Sequence, residues 1–270
     1  MLSILKVMCN LTYSNQSGKR GSILLTLSLI AGSSFAQETE HSKAIDHVGG
    51  AVTVTNNGVS LIPSFTLGRP ATMFDLNVGN KKLTFEPQFR FALDGKPWSF
   101  LFWWRYKLVQ NEKFRISVGA HPSVVFKPTT VMVNGLASDN FYVQRYLATE
   151  ISPNYYITKN ISVGVYYLHS SGLDETAIKN THFVTINSNF SNIRLSEKFY
   201  MKFNPQVFYL KMDDVDGFYA TSTITLVKQN FPLSVQSILN KTITSTIPAK
   251  SDFVWNVSLV YSFRNDFVKK

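Results

Sequence analysis

Along most of the chain, apolar and polar residues alternate with a period of two. The clearest stretch sets Leu83, Phe85, Pro87, Phe89, Phe91 and Leu93 against Thr84, Glu86, Gln88, Arg90, Ala92 and Asp94. Successive side chains of a β-strand point to opposite faces, so this segment predicts a strand with one oily face and one ionic face. The next stretch alternates Trp98, Phe100, Phe102, Trp104, Tyr106 and Leu108 with Ser99, Leu101, Trp103, Arg105 and Lys107. The last does the same with Phe253, Trp255, Val257, Leu259, Tyr261 and Phe263 against Val254, Asn256, Ser258, Val260 and Ser262. Alternation held over about ten residues exceeds the usual strand of a soluble protein, about five or six.

Period and turn signals together predict about twelve such segments. They lie near 59–68, 71–79, 82–93, 98–109, 113–126, 141–157, 161–170, 181–193, 198–211, 217–227, 232–240 and 252–264. Short connections at 79–81, 110–112, 158–160, 194–197 and 228–231 alternate with connections at 127–140, 170–180, 212–216 and 241–251, most of them longer. Aromatic residues cluster at both ends of the segments, with Trp98, Tyr167, Tyr209, Phe253 and Trp255 at one and Tyr106, Tyr155, Tyr261 and Phe263 at the other. Against this regularity stand Pro63, Pro87, Pro122, Pro153 and Pro205 on the apolar faces. Proline cannot donate to a strand ladder, so these positions predict bends or local defects.

The N-terminal end has a different character. Residues 1–36 carry Lys6, Lys19 and Arg20, no acid, and an apolar run from Ile23 to Ile30 followed by Ser34-Phe35-Ala36. A basic start, a short apolar run and small residues at its end predict an export leader cleaved before Gln37. Residues 37–57 are polar and read as a periplasmic lead-in, with Gly49-Gly50 and Asn56-Asn57-Gly58 flanking a short possible strand; 58–264 carry the alternation, and 265–270 form a tail. The only cysteine, Cys9, lies in the leader, which removes disulfides and thiolate chemistry from the mature chain. Three of the 27 basic residues leave with the leader, so 24 face 17 acidic ones, a net charge of +7 spread along the chain. Such dispersed charge argues against nucleic-acid binding and suits anionic lipid headgroups or a small solute.

With these features the chain resembles the outer-membrane β-barrels of Gram-negative bacteria, and its Phe/Tyr/Asn/Lys-rich strands are similar to barrels of Bacteroidota. The resemblance covers about residues 59–264 and rests on the leader, the dyad repeat and the aromatic final strand from Phe253 to Phe263. It implies an all-β fold, a closed antiparallel up-and-down barrel of about twelve strands in the outer membrane, with short turns and N-terminus on the periplasmic side. It also implies contact with outer-membrane lipids and lipopolysaccharide, and insertion by the barrel assembly machinery. The assembly signal of the class ends on an aromatic residue, whereas here Arg264 to Lys270 follow Phe263.

Two kinds of chemistry stand out. The polar faces carry Asp75, Glu86, Arg90, Arg105, Lys107, Arg115, His121, Glu150 and Lys202, a lumen lining suited to a narrow porin-like channel for a small polar solute or to structural ion pairs. On the apolar side, His169 and Ser171 lie two apart at the end of a strand. That spacing resembles the His-x-Ser of outer-membrane phospholipases and lipid A deacylases, and offers the alternative of a lipid hydrolase with His169 as base and Ser171 as nucleophile. Asp174, Glu175 and Asn180 are candidate orienting groups. Asp213, Asp214 and Asp216 form an acidic tip. No spacing for a calcium, zinc or phosphate site appears in the sequence, and no cofactor is expected.

Overall fold

The computed structural model describes residues 45–133, 136–249 and 251–267, so the leader lies outside the described residues. These residues form a meander of twelve strands, closed on itself: β1 His47–Thr55, β2 Ala71–Gly79, β3 Leu83–Ala92, β4 Pro97–Gln110, β5 Phe114–Val133, β6 Leu136–Tyr156, β7 Ile161–Gly172, β8 Asn180–Arg194, β9 Phe199–Met212, β10 Val215–Lys228, β11 Leu233–Ser245 and β12 Phe253–Asp266. Each strand pairs antiparallel with its sequence neighbours, and β1 closes the ring on β12 from His47↔Asp266 to Thr55↔Ser258. Closure leaves no sheet edge, which a backbone surrounded by lipid requires.

The exterior is apolar and aromatic. Phe74, Phe91, Phe100 and Phe126 follow one another across β2 to β5, with ring centroids 5.1–6.2 Å apart between successive members. Trp104, Trp255, Leu259, Val207 and Ile186 are each about half exposed or more. In the same strands Thr53, Thr84, Ser99, Thr185, Thr221, Asn256 and Ser258 are buried, which identifies the inward face.

The number of strands agrees with the period-two reading, but the first of them is a different segment. The lead-in holds β1, and 59–68 is not a strand. His47–Thr55 hides its alternation behind Gly49, Gly50 and Ala51. The glycine at 50 is required by packing, because a Cβ there would stand 2.4 Å from the carbonyl oxygen of Asp75 on β2. Residues 59–68 do alternate, yet Pro63 opens a 3-10 turn, Pro63–Phe65, and the apolar side chains turn inward instead of outward. The loop expected at 127–140 is also mostly strand, since β5 and β6 stay paired from Lys127↔Tyr142 to Val133↔Leu136. β12 continues through Asp266, so the aromatic segment does not end the strand at 264.

The prolines have a consistent solution. The β2–β3 ladder passes from Asp75↔Gln88 to Val78↔Phe85 and skips Pro87. The β4–β5 ladder passes from Leu101↔Ser123 to Trp104↔Ala120 around Pro122, β6–β7 from Ile151↔Tyr167 to Asn154↔Gly164 around Pro153, and β8–β9 from Asn187↔Gln206 to Phe190↔Phe203 around Pro205. On their other sides the same residues remain in register, as Pro87↔Phe102, Pro122↔Leu147, Pro153↔Ile116 and Pro205↔Ser222. Each missing N–H therefore opens one ladder over two residue pairs and leaves the other intact.

Candidate functional site in the barrel interior

Arg105 on β4 is the centre of the charged wall. Its guanidinium donates through Nη1 to Glu86 on β3 and through Nε to Glu150 Oε1 on β6, the latter at 2.6 Å. Reaching β6 means passing over β5, and the residue passed is Gly119, paired with both Arg105 and Glu150. A Cβ at 119 would lie 2.8 Å from Glu150 Oε1, so the absence of a side chain makes the bridge possible. Tyr166 on β7 donates its hydroxyl to Glu150 Oε2 at 2.7 Å, and Asn77 and Thr84 donate to Glu86 Oε1. The guanidinium also lies 4.3 Å from the ring centre of Trp103. A carboxylate as buried as Glu150, 6 % exposed, is tolerated because its charge is paired and its oxygens are hydrogen-bonded.

The other inward charges take separate positions. Arg90 donates to Gln88 at 2.8 Å and lies 5.5 Å from the ring centre of Trp98; Asp75 is one strand away on β2. His121 packs on Trp103 with ring centroids 3.9 Å apart. Arg115 stacks on Tyr156 at 4.2 Å near the short-turn end. Lys107 lines a cavity of ≈ 780 Å³ at that end, together with His47, Asn77, Glu86, Arg264 and Asp266. Lys202 lines a second recess of ≈ 670 Å³ there with Arg194 and Tyr200. The expected inward residues thus share one face, but hydrogen bonds gather only Glu86, Arg105 and Glu150 among them.

At the opposite end the interior is filled. Residues 56–70, between β1 and β2, fold into the lumen and bring Leu61 and Ile62 against Phe183, Phe208, Leu210, Met212, Tyr219 and Ile247. Phe65 packs edge-on to Tyr146 with centroids 5.4 Å apart and joins a second cluster with Val125 and Ala177. Polar contacts help to fix the segment: among them, Trp98 Nε1 donates to the Phe65 carbonyl at 2.8 Å, and Lys127 Nζ donates to that of Ser64. Trp98 therefore does not belong to an outer girdle. The β3–β4 register shifts between Arg90 and Phe91, which turns the indole inward, where it is 3 % exposed. The sequence signal for this inserted segment was the apolar inward series Phe208, Leu210 and Met212 on β9, which an open aqueous lumen would not carry.

His169 and Ser171 both face outward near the same end, and among the described residues no hydrogen bond joins them. The ring of His169 instead neighbours His182 on β8, centroids 4.8 Å apart, and His182 Nδ1 bonds the Tyr167 hydroxyl at 2.9 Å. Of the candidate orienting groups, Asp174 accepts from Arg145 Nη2 at 2.6 Å and from its backbone N–H at 2.6 Å. Among the described residues no hydrogen bond links Ser171 to a base or His169 to an acid, so the geometry does not favour the hydrolase alternative. Two carboxylates of the acidic tip are likewise engaged within the protein: Asp213 accepts from the N–H groups of Lys179 and Asn180, and Asp216 from the Tyr209 hydroxyl. Among the described residues no cluster of three or more His, Cys, Asp and Glu is arranged to hold a metal.

A closed antiparallel ring with an apolar aromatic exterior and a polar, partly filled interior defines an outer-membrane β-barrel. Comparison with solved structures agrees at the level of fold: an outer-membrane channel from Pseudomonas putida F1 superposes with a TM-score of 0.50 at 10 % identity, over 84 % of this chain and all of that one (100 %). The KdgM porin in complex with disordered oligogalacturonate gives a TM-score of 0.48 at 10 % identity, over 80 % of this chain and 99 % of that one. LpxR from Salmonella typhimurium gives 0.45 at 10 % identity, over 80 % and 100 %. No protein-family model and no curated protein matches the sequence.

Proposed function

We propose that this barrel is a narrow porin-like channel of the outer membrane for small polar solutes, with its long-loop mouth constricted by residues 56–70. The observation that carries the reading is the distribution of polar space. A cavity lined by charged residues, ≈ 780 Å³, opens at the short-turn end, and one of ≈ 560 Å³, lined by amide and hydroxyl side chains as well as apolar ones, lies beside the inserted segment at the other. A barrel that served only packing would fill such space with side chains, as small barrels do.

In this reading residues 1–36 are an export leader, 58–264 with β1 span the membrane, and the short turns face the periplasm. The barrel assembly machinery inserts the chain, lipopolysaccharide surrounds its outer rim, and the Phe/Tyr/Asn/Lys-rich strands fit an origin in Bacteroidota. Planar-bilayer recording of the purified protein tests it. Small conductance steps are expected from the wild type, and larger ones when 58–67 are replaced by a Gly/Ser linker of equal length. Silence from both proteins, each shown to be folded, overturns the channel.

A further inference from the structure

We infer that the cavity between the inserted segment and the β10–β12 wall is a binding site for an uncharged polyhydroxy solute of the sugar class. The site rests on residues outside the Arg105 cluster. It encloses ≈ 560 Å³ and is bounded on one side by Asn57, Ser60, Ser64 and Thr66 of the segment and on the other by Asn240 and Thr242 of β11. That is room for one or two pyranose rings with some water, within the usual range of small-molecule sites, about 300–1,000 Å³.

Two residues of this lining have an amide oxygen without a partner among the described residues. The side-chain oxygens of Asn57 and Asn240 are both buried and without a hydrogen-bond partner among the described residues. Asn240 as a whole is 93 % buried, being 7 % exposed. The assignment of oxygen and nitrogen in Asn57 is fixed by its surroundings, since its Nδ2 donates to the Trp255 carbonyl at 3.1 Å, where an oxygen could not. The lining joins amides and hydroxyls to the acidic Asp252, with no Lys or Arg among the described lining residues, so the complementary ligand presents hydroxyl groups and no negative charge. Ser60, Ser64, Thr66 and Thr242 add hydroxyls that donate or accept, as the alternating edge of a sugar demands.

The position is that of a receiving site at the constricted mouth. Asn57 is held by β12 and continues into the segment that narrows the lumen, so ligand seated there contacts both the fixed wall and the inserted chain. As a substrate class for the conducting path, this deepens the channel proposal and rests on it; as a binding site it stands alone.

The full-length protein in detergent micelles is titrated with maltose, and with gluconate as an anionic polyol of similar chemistry, by calorimetry and saturation-transfer NMR. Maltose is expected to bind, gluconate at least about tenfold more weakly, and Asn240→Leu to weaken maltose about fivefold to tenfold, the worth of one buried hydrogen bond. Asn240→Gln, which keeps the acceptor, should retain more of the affinity than Asn240→Leu at equal thermal stability. Absence of maltose binding, equal binding of gluconate, or unchanged affinity in Asn240→Leu overturns the site. Conductance recorded on the same preparation separates the two proposals. Conduction without maltose binding sinks the site and leaves the channel, whereas binding without conduction does the reverse.

Discussion

At the scale of single residues, the interior depends on one arginine serving two carboxylates. Glu150 sits at 2 % side-chain exposure and Glu86 at 20 %, so removing their shared cation leaves two negative charges in a poorly solvated wall. Breaking a buried pair by deleting one partner costs about 3–5 kcal/mol, more than the pair contributes relative to a neutral replacement. Arg105→Met should therefore lower the urea midpoint of the vesicle-reconstituted barrel by an amount corresponding to about 3 kcal/mol. Adding Glu150→Gln to that variant should recover part of the loss; a double variant no more stable than the single one would show that Glu150 is solvated and not dependent on Arg105. Alternation alone places Glu86, Arg105 and Glu150 on one face. That they meet was not legible, because it depends on the β4–β5–β6 register and on Gly119 leaving a gap at the crossing point. Trp98 was misread for a related reason, since a one-residue bulge reverses every face beyond it.

Elements that leave the regular ladder show how local chemistry decides their fate. The β7–β8 connection, residues 173–179, is tied down by Asp174, whose carboxylate accepts from the guanidinium and backbone N–H of Arg145, while the Leu173 N–H donates to the Arg145 carbonyl. The same connection carries Ala177 and Ile178 into the apolar cluster around Phe65. The hydrogen bonds from Arg145 hold the Asp174 carboxyl below the usual aspartate range. A depressed pKa in the folded state contributes stability that is complete above the ordinary value and lost only as pH falls through the depressed one. Docking of this loop should thus persist at about pH 3.9, where a free aspartate is half protonated. Hydrogen exchange of the Arg145 and Leu173 amides checks this: protection is expected to survive to that pH in the wild type and to be reduced at pH 7 in Asp174→Asn. Equal protection in both proteins would remove the role of the carboxylate. Hydrophobic pattern cannot foresee such docking, just as the alternation of Val59, Leu61, Pro63, Phe65 and Leu67 gave the right periodicity for a strand but not the partner that captured it. Within the stretch itself Pro63, which favours a turn, hinted that it would leave the wall.

Across the whole molecule the cations that line the lumen are more numerous at the short-turn end, and that asymmetry makes a prediction about permeation. The long-loop end combines apolar clusters with amide and hydroxyl groups around residues 56–70 and with Arg69, Lys96 and Lys127, while Lys107 and Lys202 stand at the short-turn end, with Lys81, Lys82, Lys198, Arg194 and Arg264 lining the same recesses. Glu86 and Glu150 share the one charge of Arg105, and Asp46, Asp266 and Glu197 line the same recesses, which still leaves the short-turn end with more cations than anions. Exposed charges act over about a Debye length, near 10 Å at 0.1 M salt, which at a constricted pore is enough to bias which ion enters. A bilayer separating unequal potassium chloride solutions should accordingly give a reversal potential of the sign for anion preference, larger at 0.1 M than at 1 M salt. Lys107→Glu combined with Lys202→Glu should move it toward the cation side without abolishing conduction, because neither lysine belongs to the Arg105 cluster. If the double variant kept the wild-type reversal potential, the permeation path would have to bypass both recesses, and the inserted segment alone would set selectivity.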